Sequence, residues 1–259
     1  MPAVLYETRD RIAFITLNRP EVLNAFNREM HQQLREAWLA FREDEDAWVA
    51  VVTGAGDRAF SAGADVKEMG QRREEPVRRS FWETWFGDDL QTGLDVWKPT
   101  IAAVNGYCLG EGLTLILACD FRIVSERASF GFPEVNLGIP TIVGAIRAPH
   151  VVGLGNALEL LLIGDRVDAK RAYEMGLAQR VVAHDSVRAE AETLARRLCR
   201  NGPLAVRCTK EMAYRGLQLP FPDAVRMGES LRRVATSSED AREGPRAFRE
   251  NREPQFKGR

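Results

Sequence analysis

The chain has 259 residues, of which 45% are hydrophobic and 28% charged, which suits a globular protein with a full core. Its net charge of −1 does not favour nucleic acid or an anionic membrane as a partner. We expect no signal peptide and no membrane span, since no apolar stretch reaches about 18 residues. Four cysteines without CxxC spacing and three histidines argue against a structural metal site or a disulfide framework, and favour reduced thiols in the cytoplasm.

The first half of the chain alternates between strand and helix patterns. Residues 11–17 alternate and are β-branched, which predicts a strand, and Asn27 is placed to cap an amphipathic helix that runs to about Glu43. A short buried helix is predicted over 112–119, and the charged stretch that ends at Trp97 is also predicted to be helical. Further apolar runs of strand length lie at 48–53, 100–104 and 121–124. This order predicts an α/β fold with parallel strands.

The second half of the chain is mainly helical in pattern. From Asn156 onward we predict two helices and a short strand, with Gly164 and Gly176 at the helix ends. Two or three amphipathic helices, broken by Pro and Gly, are predicted to follow as far as Arg249. We therefore expect a core over residues 1–197 and a helical region over 198–259 that covers the core or a neighbouring subunit.

A glycine motif follows the strand at 48–53. Residues 54–59, Gly-Ala-Gly-Asp-Arg-Ala, fit G-x-G-x-x-A, but Phe60-Ser61-Ala62-Gly63 is a poor helix start. Because a dinucleotide fingerprint needs a helix N-terminus at the pyrophosphate, we interpret the motif as a tight turn.

Two other loops combine small residues with a helix start after a buried strand. In Ala62-Gly63-Ala64-Asp65, the aspartate is expected to cap a helix, and Leu109-Gly110-Glu111-Gly112 repeats the pattern. Backbone N–H groups in the first turn of a helix have no intrahelical acceptor. If the two loops converge, they would supply the two donors that an enolate or tetrahedral oxyanion needs. Each loop alone is also compatible with ordinary capping.

One carboxylate lies within an apolar loop shaped by proline and glycine. Glu134 stands in the stretch 130–140, FGFPEVNLGIP. We expect it to be partly desolvated, with its pKa raised toward neutrality, which suits a residue that shuttles protons. A surface glutamate after a proline is the alternative.

Several longer stretches resemble the crotonase superfamily, the enoyl-CoA hydratase/isomerase family. They are FSAGADVKEM, AAVNGYCLGEGLTLILACDFRI and FGFPEVNLGI, together with ITLNRPEVLNAFN near the start and SSEDAREGPRAFRENREPQFKGR at the end. The resemblance covers essentially the whole chain. It implies a spiral core of repeated ββα turns, a C-terminal helical trimerisation region, and a homotrimer or dimer of trimers. It implies an acyl-CoA substrate, with coenzyme A as part of the substrate and no other cofactor or metal.

The resemblance also implies roles for individual residues. The thioester carbonyl would lie between the backbone N–H groups of Ala64 and Glu111, with Glu134 as acid and base. The residues expected to bind the CoA arm are Leu23, Ala25, Ala62, Asp65, Val66, Lys67, Phe256 and Lys257. The last two match a tail that in relatives can hold CoA from a neighbouring subunit.

The chain departs from the hydratase pattern at the first of the two catalytic glutamates. Thr114 occupies that position, and threonine is not a proton donor of useful pKa. Glu111 stands three residues earlier, on the same face if both are helical, so it could replace the missing carboxylate. Alternatively Glu111 turns outward and only Glu134 remains. A second departure is Ile139-Pro140-Thr141-Ile142-Val143-Gly144 (139–144), where many hydratases carry a glycine-rich run, so we expect a bulkier acyl pocket.

The family scaffold leaves several reactions open. Hydration or dehydration is favoured by a likeness to carnitinyl-CoA dehydratases in the C-terminal part. Double-bond isomerisation and thioester hydrolysis need only Glu134. An inactive acyl-CoA-binding homologue also remains, whereas the near-neutral charge argues against an RNA-binding one.

Overall fold

The structure, a computed structural model, describes residues 1–68, 87 and 89–259. Its strands are β1 (Val4–Arg9), β2 (Ile12–Leu17), β3 (Val49–Gly54), β4 (Ala59–Ser61), β5 (Thr100–Val104), β6 (Tyr107–Leu109), β7 (Phe121–Ser125), β8 (Ser129–Gly131), β9 (Val167–Asp168) and β10 (Arg180–Val182). Its longer α-helices are α1 (Arg28–Glu43), α2 (Glu111–Leu117), α3 (Val143–Val152), α4 (Leu154–Leu158), α5 (Ala169–Glu174), α6 (Val187–Leu198), α7 (Pro203–Gly216), α8 (Phe221–Thr236) and α9 (Glu239–Arg249).

The strands form two sheets. The larger has the order β1-β2-β3-β5-β7-β10 and the smaller β4-β6-β8-β9. All neighbours in the larger sheet are parallel except β1 and β2, and β4, β6 and β8 are also parallel. Each of β3, β5 and β7 is therefore followed by a crossover, which explains why their sequences are continuous apolar runs. The predicted α/β class with parallel pairing is confirmed.

The larger sheet has a hydrophobic core on each face. Ala50 and Val52 of β3 face the core shared with α1 and the smaller sheet, whereas Val49 and Val51 face the core shared with α6. This alternation follows from the two-residue period of a strand. The loops that leave the strands toward the smaller sheet carry the candidate site.

Most long elements agree with the sequence predictions. Asn27 caps α1, because its Oδ1 accepts a hydrogen bond of 2.9 Å from the N–H of Met30. Residues 55–58 form the expected turn after β3, and Gly164 and Gly176 end helical segments with positive φ. The count of helices after β10 was wrong, since four follow rather than two or three. Of the predicted helical stretch before Trp97, residues 69–86 and 88 lie outside the described residues, and 89–97 form turns and irregular chain.

The first of the C-terminal helices, α7, is tied to the core by a polar cluster around Asp120. Nζ of Lys210 lies 2.7 Å from Oδ2 of Asp120, and the Tyr214 hydroxyl donates to Oδ1 at 2.9 Å. The backbone N–H of Thr100 also donates to this carboxylate at 2.7 Å. Both charged side chains are only 12% exposed. The division at residues 1–197 and 198–259 stays a prediction.

Replacing Lys210 by Met should therefore destabilise the protein by about 3 kcal/mol, because it leaves the Asp120 carboxylate buried without its counter-charge. Urea unfolding monitored by tryptophan fluorescence measures the change. Lys170→Met is the matched control: its ammonium is 85% exposed and 4.0 Å from Glu174, so no measurable change is expected. Equal stability of the two variants would contradict this role for Lys210.

Among the described residues, none of the helices has the length and apolar character needed to cross a membrane.

Candidate active site

The segment 62–65 is held against Phe26 by an isolated parallel bridge at Ala64. The N–H of Phe26 donates to Gly63 O at 2.8 Å, and the N–H of Asp65 donates to Phe26 O at 2.9 Å. Since successive N–H groups of an extended chain point in opposite directions, the N–H of Ala64 is directed away from Phe26. Gly63 has a φ of +93°, which only glycine adopts without strain.

A loop with two consecutive left-handed residues supports this segment. Leu23 and Asn24 both have a φ of 55°, and Leu23 O accepts the N–H of Ala62 at 2.9 Å. The buried Asn24 carboxamide donates to Ala55 O and Ala59 O. The side-chain bonds explain how an asparagine, and a leucine next to it, tolerate this conformation. The predicted CoA-binding segments, Leu23 to Ala25 and Ala62 to Val66, thus lie side by side.

The second loop leads into helix α2. The N–H of Gly110, whose φ is +51°, donates to Gly131 O at 2.9 Å. The N–H of Thr114 donates back to Gly110 O at 3.0 Å, so α2 begins its own hydrogen bonding there. Glu111 is the first helical residue, and an N–H at this position has no acceptor within its helix.

These two loops meet. A methyl group built on Gly63 would lie 3.1 Å from Leu109 O and 3.5 Å from the N of Glu111. A methyl group built on Gly110 would lie 3.7 Å from the Cα of Gly63. A methyl group on Gly63 would thus be tight against the Leu109 carbonyl, whereas one on Gly110 would make only ordinary contact with the Gly63 backbone. The residue after Gly63 is Ala64, so its N–H lies next to this close approach of the two loops.

The Glu134 carboxylate reaches the same place from a 3-10 helix over Pro133–Leu137. Its Oε1 would lie 2.8 Å from a methyl group built on Gly110, one residue before Glu111. Within the described part of the chain, its Oε2 is buried and has no hydrogen-bond partner. Burial raises the pKa of Glu134 above its ordinary value, against smaller lowerings by the backbone N–H of Glu134 and by the nearby Thr141 hydroxyl. The expectation of a desolvated carboxylate with a raised pKa is confirmed in direction.

Thr114 is buried behind this carboxylate. Its hydroxyl donates to Gly110 O at 3.2 Å, one turn earlier in α2. A methyl group built on Gly144 would lie 2.8 Å from Thr114 Oγ1 and 2.6 Å from the Phe132 ring. The glycine therefore lets α3 pack closely over Thr114.

The Glu111 side chain extends toward α1 and the turn before Trp97. Its Oε1 accepts a hydrogen bond of 3.1 Å from Nε2 of Gln91 and lies 3.4 Å from Nε2 of His31. The side chain is 22% exposed. Sequence reasoning identified neither His31 nor Gln91, because neither belongs to a motif.

Other predicted CoA-binding residues lie at the edge of the site. Asp65 caps a helical turn through Lys67 N at 3.2 Å, and its other oxygen is held by Arg19 at 3.2 Å. Arg19 also donates to Ala25 O at 2.6 Å, so it links the two segments that are predicted to bind CoA. The sequence analysis did not identify Arg19. Val66 and Lys67 are exposed.

Phe256 and Lys257 are not brought together with Glu134 within one chain. Phe256 packs with the core on the α6 face of the larger sheet, opposite to the candidate site. The backbone N–H of Lys257 donates to Asp240 at 2.7 Å, and its ammonium lies 3.5 Å from Glu239. A role for these two residues therefore requires a second subunit, as the resemblance implied, and stays a prediction.

Comparisons with known proteins agree with this arrangement. Residues 7–259 match the profile of the family described as enoyl-CoA hydratase/isomerase. The (E)-benzylidenesuccinyl-CoA hydratase of Thauera aromatica is 35% identical over 261 residues, which cover 100% of both chains. The carnitinyl-CoA dehydratase of Citrobacter koseri is 38% identical over 254 residues, 95% of this chain and 94% of that protein. The crystal structure of an enoyl-CoA hydratase/isomerase from Mycobacterium paratuberculosis has a TM-score of 0.90 and 38% identity, with 99% of each chain covered.

The chain therefore belongs to the enoyl-CoA hydratase/isomerase family, the crotonases. The similar proteins include hydratases and dehydratases, which are lyases, so the chain is an enzyme of the enoyl-CoA hydratase/dehydratase-like acyl-CoA family.

Proposed function

We propose that the protein adds water reversibly to the double bond of an enoyl-CoA thioester, or removes it from the hydroxyacyl-CoA. The observation that carries this proposal is the position of the half-buried Glu134 carboxylate beside Gly110, directly before the amide of Glu111. The thioester carbonyl oxygen would accept hydrogen bonds from the N–H groups of Ala64 and Glu111. Both donors belong to the backbone, so the glutamate at position 111 does not remove the oxyanion site.

In this mechanism one carboxylate handles both protons. Glu134 takes a proton from a water molecule as the oxygen forms a bond to the β-carbon, and negative charge moves to the thioester oxygen. The same group then returns the proton to the α-carbon, and the enolate collapses to the 3-hydroxyacyl thioester. The buried Oε2 of Glu134 supports this role, because no hydrogen bond within the described part of the chain occupies its lone pairs. The reaction needs no cofactor beyond the CoA that the substrate carries.

The Thr114 hydroxyl transfers no proton in this scheme and could only orient a water molecule. It already donates to Gly110 O, so only its lone pairs are available to hold a water. The threonine at position 114 leaves one catalytic carboxylate, and this favours one alternative. A single carboxylate is enough to move a proton between C2 and C4 of an enoyl chain. Double-bond isomerisation is therefore the second candidate function.

Three assays on the purified protein separate the candidates. With crotonyl-CoA, a hydratase removes the absorbance of the conjugated enoyl thioester. With a 3-enoyl-CoA, an isomerase creates it, and release of a free thiol marks a hydrolase. Binding of CoA thioesters without change in any assay would refute the proposal and identify an inactive homologue.

Activity should depend on pH through Glu134. Because burial raises its pKa, we expect kcat/KM to increase with pH through a pKa above that of an ordinary glutamate. Because folding favours the neutral Glu134 side chain, its contribution to the free energy of unfolding is complete at acid pH. This contribution is lost as the pH rises through the raised pKa. Glu134→Gln should consequently be more stable than the wild type at neutral pH but not at acid pH. A pH–rate profile measures the effect on kcat/KM, and thermal unfolding at two pH values measures the effect on stability. If kcat/KM decreased only at or below the pKa of an ordinary glutamate, the raised pKa would be contradicted.

We also propose that the active form is a homotrimer or a dimer of trimers. Leu217, Phe221 and Phe248 are 78%, 80% and 86% exposed at the C-terminal helices, which is unusual for large apolar side chains. Light scattering coupled to size exclusion tests the assembly, and a monomer at micromolar concentration would refute it.

A further inference from the structure

A polar cluster lies beside the proposed oxyanion site, and the proposed proton transfers do not use it. It consists of Gln91, Glu111 and His31. The Glu111 carboxylate accepts from Gln91 at 3.1 Å and contacts His31 at 3.4 Å. The His31 ring also packs against Phe26, with the ring centroids 5.4 Å apart, so α1 fixes this side of the cluster.

Gln91 has an unusual environment for an amide side chain. The residue is only 6% exposed, and within the described part of the chain its Oε1 has no hydrogen-bond partner. Its orientation is determined by Glu111, because only the NH₂ group can donate to a carboxylate. The backbone is also fixed: Arg147 donates to Gln91 O at 2.8 Å and to Leu90 O at 3.2 Å. A buried acceptor without a donor is unfavourable, so a ligand that brings a donor is favoured there.

The cluster begins at the residue that would bind the thioester oxygen. Glu111 follows Gly110, against which the Glu134 carboxylate packs. The Glu111 side chain connects this point to Gln91, because its carboxylate accepts a hydrogen bond from the Gln91 carboxamide. The segments expected to hold the CoA arm approach from Leu23 and Ala62 instead. Gln91 follows the buried Leu90 and is held by α3, which also packs over Thr114. The acyl chain would therefore extend toward Gln91.

We propose that Oε1 of Gln91 accepts a hydrogen bond from a hydroxyl group on the acyl chain, so that the enzyme prefers short hydroxylated acyl-CoA thioesters to plain alkyl ones. Glu111 then acts as a positioning residue that holds the carboxamide, rather than as a second acid. This inference rests on the proposed function for the location of the thioester, whereas the preference for hydroxylated acyl groups is a property of binding and can be tested without turnover.

Calorimetric binding of saturated thioesters tests it without turnover. The wild-type protein is titrated with 4-hydroxybutanoyl-CoA and pentanoyl-CoA, and with 5-hydroxypentanoyl-CoA and hexanoyl-CoA. Each pair differs only by a hydroxyl in place of a methyl group. At least one hydroxylated member should bind about tenfold or more tightly than its partner, since a site built for a hydrogen bond discriminates strongly. Equal or weaker binding of both hydroxylated thioesters would overturn the proposal.

Gln91→Met assigns the preference to the carboxamide. Methionine has nearly the same length and no strong acceptor, so the hydroxyl preference should disappear while the alkyl thioesters bind as before. Gln32→Met on the exposed face of α1 is the control and should keep the preference. A preference that survives in a folded Gln91→Met variant would refute the assignment, and the wild-type comparison stands even if that variant does not fold. Hydroxyl preference without turnover would refute the proposed function alone, whereas hydration of crotonyl-CoA without the preference would refute this inference alone.

Discussion

Replacement of Glu134 by Gln is expected to lower kcat for crotonyl-CoA hydration by about 10³-fold, within the range for loss of a general acid–base. Glutamine keeps the size and a carbonyl oxygen beside Gly110, so the dissociation constant for acyl-CoA should change little. The effect falls on kcat because the carboxylate acts on protons that move only during the reaction. Steady-state kinetics and calorimetric binding of butanoyl-CoA measure the two quantities.

Glu174→Gln is the matched control for this variant. It makes the same chemical change at a half-exposed glutamate that lies 4.0 Å from Lys170, and its activity should equal that of the wild type. A decrease of only a few fold in Glu134→Gln would contradict the single-carboxylate mechanism. In that case Glu111→Gly would be expected to abolish the remaining turnover, which is the result that assigns the second acid to Glu111.

Gly110→Ala is expected to lower kcat/KM by about 10²-fold, because a misplacement of about 1 Å near the reacting atoms has effects of this size. The new methyl group would lie 2.8 Å from Oε1 of Glu134, and the carboxylate would have to move. The φ of +51° combined with a ψ of −115° is a sparsely populated conformation that adds strain of about 1–3 kcal/mol for alanine, which should appear as a loss of unfolding free energy. Kinetics and urea unfolding of the same preparation separate the two effects.

Gly216→Ala provides the control for this glycine. Gly216 ends α7, has no positive φ, and has no described atom within 4 Å of the position that a methyl group would take. Alanine should leave activity unchanged and stability equal or slightly higher. If Gly110→Ala lost stability but retained full activity, the carboxylate would not depend on this close approach.

The sequence predicts the long elements well because their patterns are long enough to repeat. Strands β3 and β5 are continuous apolar runs, and α1 combines a cap with one apolar face. The three-residue strands β4, β6 and β8 could not be predicted, since a period of two needs more residues to become visible. They matter nevertheless, because they form the smaller sheet from which the loops of Gly63 and Gly110 emerge.

Residue types raised the convergence of the two glycine loops as one of two alternatives and predicted the environment of Glu134. Small residues after buried strands indicate close backbone approach, and an apolar loop indicates desolvation. The partners of Glu111 could not be predicted in this way. His31 and Gln91 belong to distant parts of the chain, and only the packing of α1 and of the turn before Trp97 against α2 brings them together.

The left-handed pair Leu23–Asn24 has a consequence for how substrates are exchanged. Its conformation is maintained by hydrogen bonds to Ala55, Ala59 and Ala62 within the chain. If these segments bind the CoA arm as proposed, the binding surface is already ordered, and binding of CoA requires little further ordering of the chain. Selectivity among acyl groups would then depend on the residues that line the acyl pocket rather than on this segment.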